Sequence, residues 1–62
     1  MNNVQLAMAI AQHTANIKLE LAKQYGNKIF RATEEELYSY LDSCEINESI
    51  QASIDFLNNN KW

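Results

Sequence analysis

A chain of 62 residues with a net charge of −3, 47% hydrophobic content, one glycine, one cysteine and no proline predicts one small domain, able to bury only about 60% of the surface its unfolded form exposes. One cysteine excludes an internal disulfide, and His13 and Cys44, each alone in its type, leave no metal-ligand spacing, so no metal and no cofactor is expected. The single glycine rules out a Gly-rich phosphate loop, and a lone thiol fits a reducing compartment, which makes the cytoplasm the expected location.

A core this thin is close to balance between apolar burial and conformational entropy, so oligomerisation or very regular helix packing is expected to support it. The charge is divided along the chain. Residues 1–32 carry Lys18, Lys23, Lys28 and Arg31 against Glu20, whereas residues 33–62 carry Glu34, Glu35, Glu36, Asp42, Glu45, Glu48 and Asp55 against Lys61. An acidic second half repels phosphate and attracts basic protein surface.

Helix 1 is predicted over about 3–25, capped by Asn2 or Asn3 and stopped by Gly26. No cation precedes the apolar run Leu6–Ala11, as a secretory leader would require, and polar residues interrupt it well short of a membrane span, so no membrane association is expected. At about 100° per residue, Leu6, Ile10, Ile17 and Leu21 form one stripe, and Val4, Met8, Ala11, Ala15 and Ala22 a second beside it. The two span roughly 220°, twice the arc of an ordinary surface helix. Such a helix has to be covered on two sides, by its own chain and by another, and the bulky stripe Leu6, Ile10, Ile17 and Leu21 is the expected partner surface.

The connector from Asn27 to Ala32 carries Ile29 and Phe30, a pair expected to fold back on helix 1. Helix 2 is predicted over about 34–44, opened by a Thr33–Glu36 capping box. Leu37, Leu41 and Cys44 share its apolar face, with Tyr38 and Tyr40 on the flanks. Helix 3 is predicted over about 48–59, capped by Asn47, with Ile50, Ile54 and Leu57 facing inward and the tail from Asn58 to Trp62 fraying. The expected fold is therefore all-α: a small three-helix domain, its long N-terminal helix packed on a C-terminal helical hairpin.

No residue pattern points to catalysis. His13 reads as a solvated surface side chain, Cys44 as a buried apolar one, and the chain lacks the bulk to enclose a pocket of several hundred Å3. Helices 2 and 3 resemble a helix-turn-helix pair in outline, but the second would present Glu48, Gln51, Asp55 and Asn58 to the groove, so no nucleic-acid partner is expected. The expectation is a non-enzymatic interaction protein, a regulator, adaptor or inhibitor, that self-associates or docks on a larger protein through helix 1. Tyr38, Tyr40 and Trp62 are candidate aromatic contacts. Glu35 and Asp42 stand for the alternative, an acidic nucleic-acid mimic that occupies a basic site through helices 2 and 3.

Overall fold

The computed structural model describes residues 2–60, so the expectation for Trp62 lies outside the described residues. Asn2 opens α1, Asn3–Tyr25, its side chain accepting from the Gln5 amide at 2.8 Å. Gly26 closes it at φ +91°, a conformation side chains resist, while its own amide still reaches the Ala22 carbonyl at 2.8 Å. The chain then makes a 3-10 turn over Asn27–Arg31. Next comes α2, Glu34–Ser43, behind the complete capping box: Thr33 Oγ1 accepts from the Glu36 amide at 3.2 Å, and the Glu36 carboxylate accepts from the Thr33 amide at 3.3 Å. Asn47 caps α3, Glu48–Asn59. Of the tail expected to fray, Asn58 and Asn59 stay helical and Asn60 finishes the helix by donating both its backbone and its side-chain N–H to the Phe56 carbonyl, each at 3.0 Å, while Lys61 and Trp62 lie outside the described residues.

The architecture is all-helical, with the long N-terminal helix packed against the C-terminal one. Contacts between α1 and α3 run antiparallel: His13 meets Phe56, Asn16 meets Ser49 and Ser53, and Glu20 meets Asn47. Three apolar side chains are wholly shielded, Leu21 from α1, Ile29 from the 3-10 turn and Ile50 from α3. The centre of the core thus lies between α1, the turn and α3, and α2 contributes no buried residue.

Two expectations are corrected here. Only Ile29 of the connector pair folds under α1; Phe30 points away and is 52% exposed, because a tight turn cannot aim successive side chains at one surface. The Leu37, Leu41 and Cys44 face of α2 is only half-buried, because α2 stands off from α1 and leaves a groove of about 440 Å3 lined by Ile17, Leu37, Leu41, Ile54 and Leu57.

A Cβ at position 26 would meet no atom within 4 Å, so Gly26→Ala is expected to cost only the backbone strain of that positive φ, about 1–3 kcal/mol. Thr33→Ala, which removes the cap, is expected to cost about 1 kcal/mol. Urea midpoints check both, and an unchanged midpoint for Thr33→Ala would mean that α2 does not depend on its box.

Candidate functional site

Along the inner side of α1 the residues His13, Asn16, Glu20 and Gln24 recur at helical spacing, and each is bonded to α3 or to the link before it. Ser53, 1% exposed, is the centre of this seam. Its hydroxyl accepts from Asn16 Nδ2 at 3.0 Å and lies 2.9 Å from His13 Nδ1. The His13 ring stacks on Phe56 at 4.3 Å between centroids. His13 is thus half-buried and bonded rather than solvated, because a residue at the edge of the polar arc of α1 faces α3 once the helices cross.

A serine hydroxyl beside a histidine has the outline of an activated nucleophile. Here Ser53 is closed off from solvent at 1% exposed. The pair acts as a satisfied polar contact between helices.

At the other end of the seam, Asn47 serves two helices. Its Oδ1 accepts from the Ile50 amide at 2.8 Å and its Nδ2 donates to Glu20 Oε2 at 3.0 Å. That bond, together with the Lys23 ammonium at 3.1 Å, holds the Glu20 carboxyl below the ordinary carboxylate range. Beyond it, the Gln24 side chain forms a reciprocal pair with the backbone of Glu45, donating to the carbonyl at 2.9 Å and accepting from the amide at 3.0 Å.

The expected partner residues of α1 separate by depth. Leu21 is fully buried by its own chain and is thereby lost as a contact for another. Ile17 lines the groove, while Leu6 and Ile10 are half-buried. The stripe that faces outward is the other one: Val4 is 69%, Met8 58% and Leu19 54% exposed, Ala11 and Ala15 are exposed between them, and Ala22 is half-buried. This row lies roughly 150° around α1 from the seam. Leu19 belongs to it, although reading the sequence by its bulky stripe passes it over.

Tyr38 is 65% exposed on the rim of the groove. Tyr40 is half-buried instead, its ring 4.7 Å from that of Tyr25 and beneath the Lys28 ammonium at 5.6 Å. Cys44 donates its S–H to the Leu41 carbonyl at 3.2 Å, and burial pushes the thiol up in pKa, opposite to what a reactive thiolate needs. Glu34, Glu35, Glu36, Asp42, Glu45, Glu48 and Asp55 are all exposed, and among the described residues none of them is ion-paired. The groove of about 440 Å3 is open to solvent rather than enclosed. Among the described residues no cluster of metal-ligating side chains forms and no helix is long and apolar enough to cross a membrane. No protein-family model matches the chain, and no curated protein or solved structure matches it either.

The two-helix role of Asn47 leads to a pH-dependent prediction. In the natural chain the Glu20 contribution is complete above the ordinary carboxylate range and is lost as pH falls through the lowered value. Asn47→Asp keeps a good cap for α3 but turns the donor toward Glu20 into a second carboxylate. This variant is expected to be less stable than the natural chain at pH 7, and the gap should narrow on acidification as the two carboxylates share a proton. Urea midpoints at pH 7 and pH ~4 check it; a gap that widens in acid would show that the Glu20–Asn47 bond does not hold the helices.

Proposed function

We propose that this chain is a non-enzymatic protein-interaction module, a small regulator, adaptor or inhibitor, whose contact surface is the outer face of α1. The observation that carries this reading is the exposure of Val4, Met8 and Leu19 along one stripe while Leu21, Ile29 and Ile50 complete the core. Exposed apolar rows of this kind mark contact sites on small domains. The shielded Ser53 hydroxyl and the raised thiol of Cys44 speak against catalysis, and the lone thiol suits the cytoplasm.

A second reading has its own observation. The seven exposed carboxylates from Glu34 to Asp55, without an ion pair among the described residues, suit an acidic mimic that occupies a nucleic-acid-binding site on a basic partner. The same surface argues against α3 as a DNA-reading helix, since Glu48 and Asp55 would face the phosphates.

Salt and two variants separate the readings. Affinity capture from the source cell would use the natural chain, Met8→Glu, and a bait with Glu35→Gln, Asp42→Asn, Glu48→Gln and Asp55→Asn. If α1 is the contact, Met8→Glu loses the partner by on the order of tenfold or more, the neutralised bait keeps it, and added salt changes little. If the acidic surface is the contact, the neutralised bait loses the partner, Met8→Glu keeps it, and salt weakens capture steeply.

A further inference from the structure

We propose that a shallow hollow between α2 and the end of α1 takes an arginine side chain from a basic segment of another protein. The proposal rests on the second reading, in which the acidic surface is the contact, and adds the place on that surface and the side chain it holds. Tyr25, Glu36, Ser39, Tyr40 and Ser43 line the hollow, which is open and has a volume of about 410 Å3. Glu36, Ser39, Tyr40 and Ser43 recur at three- and four-residue spacing and so share one face of α2. Tyr25, the last residue of α1, forms the facing wall. Its ring lies 4.7 Å from that of Tyr40, tilted by 45°. The apolar part of this hollow is therefore aromatic, whereas the groove on the opposite face of α2 is walled by Ile17, Leu37, Leu41, Ile54 and Leu57.

The lining selects a cation that donates hydrogen bonds. It contains no positive group, and each of its polar side chains can accept. Glu36 gives Oε1 to the Thr33 cap, which leaves Oε2 without a partner among the described residues. Glu35 and Asp42 stand about one turn before and one turn after Ser39 on the same face, exposed and without an ion pair among the described residues. The aromatic pair also has a cation beside it: the Lys28 ammonium lies over the Tyr40 ring at 5.6 Å, within the range of a cation–π contact, without lining the hollow. An incoming guanidinium fits this surface better than an ammonium, since its plane can lie on a tyrosine ring while its edge donates to a carboxylate. Glu35 and Asp42 are about 10 Å apart along the helix, so neighbouring cations of the same segment find a carboxylate on either side of the one in the hollow. That spacing suits a basic stretch of chain rather than a free cation.

Titration of the natural chain with a capped peptide of four Arg-Gly repeats, followed by NMR, tests the site. The ring signals of Tyr25 and Tyr40 should move together, while those of Tyr38, on the rim of the other groove, stay in place. Ser39→Lys puts a cation into the hollow at an exposed position and should weaken the peptide by on the order of tenfold or more. Ala52→Lys, an exposed position on α3 with the same change in charge, should leave it nearly as tight. Lys28→Gln, which removes the neighbouring like charge, should tighten it by about threefold, and Lys18→Gln, a wall of the other groove, should not. A peptide of four Lys-Gly repeats should bind more weakly than its arginine counterpart. Circular dichroism checks that each variant is folded. Equal losses for Ser39→Lys and Ala52→Lys, or Tyr38 signals that move as far as those of Tyr40, would reduce the binding to diffuse charge attraction and overturn the site; so would no binding at all. If the bait neutralised at Glu35, Asp42, Glu48 and Asp55 loses its cellular partner while Ser39→Lys keeps it, the acidic reading stands and only the arginine site fails.

Discussion

Ser53 lies 1% exposed between α1 and α3 with its hydroxyl engaged by both Asn16 and His13, and the packing of the chain depends on that arrangement. A buried hydroxyl without partners costs about 1–3 kcal/mol, so the two helices are stable only in the register that supplies those partners. Leucine pairs alone would tolerate sliding by a turn; a directional polar contact does not. The same register brings Asn47 to Glu20 and Glu45 to Gln24, so the cap of α3 and the link before it are tied to α1 by one alignment. Leu21 and Ile50 also close completely.

With that alignment made, the apolar surplus of α1 is divided. Its inner arc takes the polar seam and the bulky residues that meet the 3-10 turn and the groove; nothing among the described residues covers its outer arc. α2 cannot help, since it stands away behind the groove with Leu37 and Leu41 only half-buried. The exposed stripe is therefore a consequence of where α3 lies rather than of an excess of hydrophobic residues as such.

The helices were legible because their ends are chemically marked. Asn2, Gly26, Thr33 with Glu36, and Asn47 act locally, and each behaves in the structure as its residue type implies. Ile50 was legible as core for a similar reason, standing on the apolar face of a short amphipathic helix. What could not be read was which arc of α1 faces inward. Apolar periodicity favoured one bulky stripe for a partner, but the inner face is decided by His13, Asn16, Glu20 and Gln24 finding polar complements on α3, a pairing across some 20 to 40 residues of chain that periodicity does not encode. Their spacing along one helix face was the available signal. Phe30 went astray for a related reason: residue type gives the tendency to be buried, and local geometry decides the direction.

The Gln24–Glu45 pair carries a consequence for how the chain opens. A glutamine amide that both donates to and accepts from one backbone residue holds the start of the α3 link against the last turn of α1 without using any part of α2. At its other end α2 follows a turn anchored by fully buried Ile29. The helix is therefore a strap fastened at both ends and shielding no core residue of its own. It is the element expected to unwind first, so its amide hydrogens are expected to exchange through local opening, ahead of those at the centres of α1 and α3.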